Sequence, residues 1–318
     1  MDELTKAMKQ NGLKTIEDFL CFPKYLQIET VSTCNARCIM CPVEEWERDS
    51  KLMSDELYDK ILKEIEPFAD WIEMITVQLD GEPLIDKKLE SRVQALKQIG
   101  IKKVTISSNA SLMTPKRAET ILRSGMDEIT FSIDGATKET FELIRIGLDY
   151  DECISNVISF ISLRNKLAPE VPVRIRMAIM EQNIDEFNQY KDFWQSHMGP
   201  LDMAYGRLSH NWARGSDNYS LPDVQVESEL NGLPCPSPWT SLVILCDGRV
   251  PLCCIDFNAS KKLGNVLDSL IQSIWQNQLM AKIRDSHAKH GRSSMLMCTN
   301  CNVWDDSSRV TEKIPVPL

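Results

Sequence analysis

The sequence predicts an α/β protein: a partial (β/α)6 barrel followed by a small, cysteine-rich C-terminal domain. Three observations carry this reading. Between Tyr25 and about Tyr205, six short apolar runs alternate with amphipathic stretches of helical length, and that alternation builds a parallel sheet. Cys34, Cys38 and Cys41 follow the first apolar run directly. After Ser209 the periodicity fails, and a cysteine-rich region runs from Cys235 to Trp304.

The elements follow in order. Residues 1–22 form a charged, amphipathic helical extension without the apolar core of a signal peptide. Strands are expected at 26–31, 74–79, 103–107, 128–133, 173–179 and 203–207. Helices are expected at 54–65, 87–99, 115–124, 138–145, 152–166 and 184–197. Ser54, and Thr114 before Pro115, are helix-start signals. Gly100 and Gly125 stand where helices should stop. The barrel therefore spans 23–208. Residues 209–318 hold a connection, 209–238, rich in Asn, Ser, Pro and Gly, and then the cysteine-rich domain. One helix is expected there at 267–284, with Leu270, Ile271, Ile274, Trp275 and Leu279 on one side.

Composition bounds the function. A chain of 318 residues can bury a large core. A net charge of −10, with acids and bases interspersed, argues against nucleic acid or an anionic membrane as partner. No apolar run is long enough to cross a membrane. Eleven cysteines without an export signal point to metal chemistry in a reducing cytoplasm rather than to disulfides.

Cys34, Cys38 and Cys41 read C-N-A-R-C-I-M-C. Three thiolates so close can hold three irons of a [4Fe–4S] cube and leave the fourth iron open. A structural zinc site would want four ligands in paired spacings. Ligand sites in such folds lie at the carboxyl ends of the strands, where this loop falls. The C-x3-C-x2-C spacing resembles the signature of the radical S-adenosylmethionine (SAM) family, and the resemblance extends along most of the chain. It implies that SAM chelates the open iron and is cleaved to a 5′-deoxyadenosyl radical, which takes a hydrogen atom from substrate.

The resemblance also implies SAM contacts. Asp80-Gly81-Glu82-Pro83 resembles the family's Gly-Gly-Glu turn, which holds the SAM amino group through its backbone and Glu82; Asp80 stands where the family has its first Gly. Ser107-Ser108-Asn109, at the end of the third strand, is similar to family positions near the ribose and methionine moiety, Ser107 and Asn109 being the expected contacts. Ser132-Ile133-Asp134-Gly135 and Arg145 resemble the family's Ser-x-Asp-Gly stretch and downstream Arg. Ser132 is expected at a ribose hydroxyl, and Arg145 at the carboxylate or as a brace. Met40 takes the place of an aromatic that packs on the adenine, a contact a thioether can make.

The C-terminal cysteines resemble the SPASM/twitch extension of radical SAM enzymes. Cys235, Cys253, Cys298 and Cys301 are the expected ligands of one auxiliary [4Fe–4S] cluster, with Cys254 an alternative to Cys253. Four-cysteine zinc is the other reading of these residues. A fully ligated cube would act as an electron acceptor or relay, which suits a two-electron oxidation.

The substrate is less legible. His210, in the Ser209-His210-Asn211-Trp212 stretch after the sixth strand, and Arg176 on the fifth are expected at the barrel mouth. Trp212 either stacks on a sugar or docks the second domain. Asp256 is a candidate base, and Cys246 or Cys254 a candidate hydrogen-atom donor. The reading is an oxidoreductase that dehydrogenates or epimerises a carbinol carbon of a sugar- or aminocyclitol-like metabolite, with a flavodoxin- or ferredoxin-type reductant. Maturation of a ribosomally made peptide is the alternative, and a non-catalytic zinc module the third.

Overall fold

The structure, a computed structural model, describes residues 3–10, 13–49, 51–210, 212, 232–299, 301, 303 and 309–310. Six parallel strands form the barrel wall: β1 (Tyr25–Ile28), β3 (Met74–Thr76), β4 (Val104–Ser108), β5 (Glu128–Ser132), β7 (Val173–Ile179) and β8 (Met203–Leu208). They stand in the order β1-β3-β4-β5-β7-β8, each parallel to the next. The helices between them are α2 (Asp55–Ile65), α3 (Leu89–Gln98), α4 (Pro115–Arg123), α5 (Lys138–Ile144), α6 (Tyr150–Leu167) and α7 (Phe187–Gln195). All six expected strands form, most with ends shifted by a few residues. The longest, β7, matches its expected span.

Strand alternation sorts the two faces of the wall. On β7, Val173, Ile175, Met177 and Ile179 are buried in the main apolar core, while Arg174, Arg176 and Ala178 are half-buried on the other face. Ser132 pairs in register with Arg176, and Arg176 with Tyr205. The inner face of the barrel is therefore polar. Thr76 and Thr105 share a 2.9 Å hydroxyl hydrogen bond on the same face.

Local signals work as expected at the helix ends. The Ser54 hydroxyl accepts the Leu57 N–H at 3.2 Å, and the Thr114 hydroxyl accepts that of Arg117 at 3.3 Å. Gly100 and Gly125 follow their helices with positive φ.

The wall does not end at β8. β9 (Ser241–Ile244) adds a seventh parallel strand beside β1, and β12 (Arg309–Val310) pairs antiparallel to β8. The C-terminal region thus shares the barrel's sheet. It also holds α8 (Ser237–Thr240), the small β10 (Arg249–Val250) and β11 (Gly264–Asn265) pair, α9 (Ile271–Trp275) and α10 (Gln278–His290). The single helix expected at 267–284 is two helices. Asn277 breaks it: its side-chain oxygen caps α10 by accepting the Met280 N–H at 2.8 Å, while its amide donates to the Leu263 carbonyl. Leu267 and Leu270 are exposed, not part of a buried stripe.

The N-terminal helix α1 (Glu3–Gln10) packs Leu4 against Phe19 and Trp239 of the C-terminal region. The Trp275 indole donates to the Phe19 carbonyl at 2.9 Å. The connection expected at 209–238 falls mostly outside the described residues. Among the described residues, no helix is long and apolar enough to cross a membrane.

Candidate active site and metal centres

The loop after β1 carries Cys34, Cys38 and Cys41. A short β2 (Arg37–Cys38) pairs antiparallel with β6 (Arg145–Ile146), placing Cys38 opposite Arg145. The Arg145 guanidinium ion-pairs with Asp134 at 2.5 Å and donates to the Cys38 sulfur at 3.5 Å. Burial raises the pKa of all three thiols, Cys41 to about 12; Cys38 adds to the rise at Cys34, and Cys38 and Cys34 add to it at Cys41. They lie close enough to feel one another, and only a bound metal would hold them as thiolates.

The Asp80–Pro83 turn presses against this loop. A Cβ on Gly81 would lie 2.9 Å from the Thr33 carbonyl oxygen and closer still to that of Val31, so only glycine fits. The Glu82 N–H donates to the Thr33 carbonyl at 2.9 Å. The buried Glu82 carboxylate accepts from Leu84 N–H and the Ser108 hydroxyl at one oxygen, and from Asn109 N–H at the other. That second oxygen keeps acceptor capacity for an ammonium group. Burial pushes the Glu82 pKa up, against these hydrogen bonds. The Asn109 amide ties the turn to Asn35 at 2.9 Å, between the first two cysteines. Ser107 points to the half-buried inner face; the hydroxyl that touches Glu82 belongs to Ser108, the middle residue of the Ser107-Ser108-Asn109 stretch.

Asp134 is fully buried, with one oxygen accepting the Ala178 N–H and the other Arg145. It therefore braces Arg145 and β7 rather than presenting a free acceptor. Ser132 accepts from the Arg176 guanidinium at 3.1 Å, while Arg176 Nε has no partner among the described residues. Arg174 is committed to Glu128 and the Leu201 carbonyl. Both arginines face inward.

His210 follows β8. Burial, and then the charges of Arg176 and Arg207, push its pKa down to about 3, and its Nδ1 has no partner. Trp212 stacks edge-on at 4.2 Å from His210 and donates its indole N–H to the Met40 carbonyl at 2.6 Å. It also meets Phe257 at 6.1 Å. Trp212 thus docks the cysteine loop and the C-terminal region together. Met40 is half-buried at that junction.

Asp80, the departure from the Gly-Gly-Glu pattern, has a structural partner. Arg48 joins its carboxylate at 2.8 Å and that of Glu29 at 2.6 Å, all three side chains being buried. Burial, then Glu29, push the Asp80 carboxyl up to about 8. No spacing in the sequence announces this triad. Cys246 is sealed beside it, its N–H on Glu29 at 3.2 Å and its thiol pushed up to about 12 by burial.

Cys235, Cys253, Cys254, Cys298 and Cys301 gather in the C-terminal region. Burial raises every one, and among them Cys235 is raised further by Cys301, Cys298 by Cys235 and Cys301, and Cys253 by Cys254, Cys301 and Cys235. Cys254 also feels Asp80 and, like Leu79, packs against the cluster of Val243, Leu245 and Ala259, so it lies toward the Gly81–Glu82 turn. Among the described residues, no three Cys, His, Asp or Glu side chains are drawn in around a single metal ion. Asp256 is not a free base: its oxygens accept the Leu252, Ser260 and Lys261 N–H groups at 3.1, 2.7 and 3.0 Å, which fixes the turn behind Cys253 and Cys254.

The profile of the Radical SAM superfamily matches residues 28–192, over half of the chain. The chain belongs to the radical SAM superfamily. A second profile, of the SPASM iron–sulfur cluster-binding domain, matches residues 235–302. A radical SAM enzyme with a SPASM domain uses SAM, a SAM-binding [4Fe–4S] cluster and auxiliary cluster chemistry, and the two thiol sets, rich in soft donors, fit such clusters. The chain is 34% identical over 111 residues to the tungsten-containing aldehyde ferredoxin oxidoreductase cofactor-modifying protein of Pyrococcus furiosus, covering 35% of this chain and 31% of that one. It spans about half the length, or less, of the curated relatives it matches. In fold it resembles BtrN solved with AdoMet and 2-DOIA, at a TM-score of 0.62 and 19% identity over 92% of this chain and 97% of that one. It also resembles Streptococcus suis SuiB bound to its precursor peptide SuiA, at a TM-score of 0.60 and 15% identity over 92% and 73%.

Proposed function

We propose that this radical SAM enzyme removes a hydrogen atom from a carbinol carbon of a sugar- or aminocyclitol-like metabolite, dehydrogenating or epimerising it. In this reading the barrel, 23–208, binds SAM and its cluster through Cys34, Cys38 and Cys41. Residues 209–318 hold a second cluster through Cys235, Cys253, Cys298 and Cys301. Bound there, SAM and the first cluster supply a carbon-centred radical, and the second cluster a sink for the electron left on the substrate. Gly81, Glu82 and Pro83 hold the SAM amino group, Glu82 through the oxygen that keeps a vacant lone pair. Ser132 and Asn109 contact the nucleoside side, Arg145 steadies Cys38, and Met40 lies against the adenine.

One observation carries the substrate class. At the mouth of a polar inner wall, Arg176 and His210 each keep a buried nitrogen without a partner among the described residues. A hydroxylated substrate satisfies such groups; an apolar one leaves them stranded, at a cost of about 1–3 kcal/mol each. His210 is neutral at physiological pH, so it accepts a hydroxyl proton's hydrogen bond rather than repelling it. The Trp212 ring lies edge-on to His210 at this corner and meets Phe257.

BtrN, solved with a small-molecule ligand, supports this reading, while SuiB with its peptide keeps peptide maturation as the second. The test is anaerobic turnover, with a flavodoxin- or ferredoxin-type reductant, on candidate polyols deuterated at the carbinol carbon. Deuterium appearing in 5′-deoxyadenosine supports the assignment. Product two hydrogens lighter means dehydrogenation, and unchanged mass means epimerisation. Deuterium transfer from a peptide only would overturn it.

A further inference from the structure

Six arginines are buried among the described residues, and five have their charge answered by side chains. Arg48 meets Glu29 and Asp80, Arg92 meets Asp86, Arg145 meets Asp134, and Arg164 meets Asp202. Arg284 lies over the Trp275 ring at 4.3 Å and donates to two carbonyls. Arg292 is the exception. It is 1% exposed and has no carboxylate or ring partner among the described residues.

Its surroundings are the second thiol set. Arg292 Nη1 donates to the Cys301 carbonyl at 2.8 Å, while Nε and Nη2 have no partner among the described residues. Its backbone N–H bonds the Leu233 carbonyl, two residues before Cys235. Its carbonyl accepts from Met295, whose own carbonyl accepts from Cys298. Arg292 is thus tied to the segments that carry Cys235 and Cys298 through its backbone and to that of Cys301 through its guanidinium. His287 lies against the same set: it is fully buried, its Nδ1 accepts the Cys235 N–H at 3.4 Å, and its Nε2 has no partner.

A buried cation with no counter-charge is strongly unfavourable. Among the described residues nothing else can answer it, which leaves whatever the five thiols bind. A thiolate-ligated iron–sulfur cluster is anionic, and gaining an electron makes it more so. Fixed positive charge and N–H donors nearby favour that gain. We propose that Arg292 is the built-in counter-charge of the auxiliary cluster, holding its reduction potential high enough for it to take the substrate's electron. This rests on the second-cluster reading above.

The test is a potentiometric titration followed by electron paramagnetic resonance, on anaerobically reconstituted full-length protein, its Arg292→Gln variant and its Arg292→Lys variant. The cluster at Cys34, Cys38 and Cys41 serves as internal reference. The expected result is a lower auxiliary midpoint in Arg292→Gln, a midpoint nearer the parent in Arg292→Lys, and an unmoved reference. Equal auxiliary midpoints in parent and Arg292→Gln, at equal iron content, would overturn the proposal. Loss of the second cluster in the Gln variant but not the Lys variant would support it, and loss in both would assign Arg292 to packing alone. Parent protein that takes up only about four irons would defeat the second-cluster reading and this inference together, and the iron count separates that case from the others.

Discussion

Cys34, Cys38 and Cys41 come from one short loop, whereas the second thiol set is collected from segments between residues 235 and 301. The two regions also treat charge differently. Beside the first set, Arg145 is neutralised by Asp134. Beside the second, Arg292 has no carboxylate among the described residues. The first site is a prefabricated loop held by neutral and paired groups, suited to exchanging SAM. The second sets a single buried guanidinium, without a carboxylate among the described residues, beside its thiols, which suits the electron-holding role proposed for it.

The largest expected effect sharpens that contrast. Arg145→Met leaves Asp134 buried without its partner, which should cost about 3–5 kcal/mol, read by urea unfolding, and should abolish SAM cleavage. Near-parental stability would mean the pair does not hold the loop. Gly81→Ala should come next: the added methyl forces the turn off the cysteine loop at about 1–3 kcal/mol. SAM cleavage should fall while iron at the second set stays, and retained cleavage would break the claimed close approach.

His210 provides a pH signature of the barrel mouth. Its folded pKa, about 3, lies below its ordinary value of 6.5. Between those values the unfolded chain binds the extra proton, so stability falls as pH drops through this window, by at most about 1.4 kcal/mol per pH unit from this residue. Unfolding free energies measured from pH 7 to pH 4 should decline less steeply in His210→Gln, and parallel curves would show a solvated imidazole. The smallest effect concerns the second region alone. Asn277→Ala removes the α10 cap and should cost about 1 kcal/mol, with iron at Cys34, Cys38 and Cys41 unchanged. No change in thermal stability would mean the helix break has another cause.

The parts of this architecture legible in the sequence are the local ones. Alternation of apolar runs gave the six strands because each buries one face against a helix, and C-x3-C-x2-C needed no folding to be read. The break at Asn277 hid because apolar periodicity ran across it. Asp256 looked like a base, but its carboxylate serves three backbone N–H groups, which spacing does not reveal. Arg48 acts through a partner 19 residues away and Arg292 through no side chain at all among the described residues, so only the assembled fold exposes them.

The most direct test of two separate centres is iron and acid-labile sulfide per chain after anaerobic reconstitution, for the parent, a Cys34/Cys38/Cys41→Ala variant and a Cys235/Cys253/Cys298/Cys301→Ala variant. About eight irons in the parent and about four in each variant, with SAM cleavage lost only in the first, is the predicted result. About four irons in the parent, falling to none in the first variant and unchanged in the second, would contradict it and leave the C-terminal thiols without a cluster.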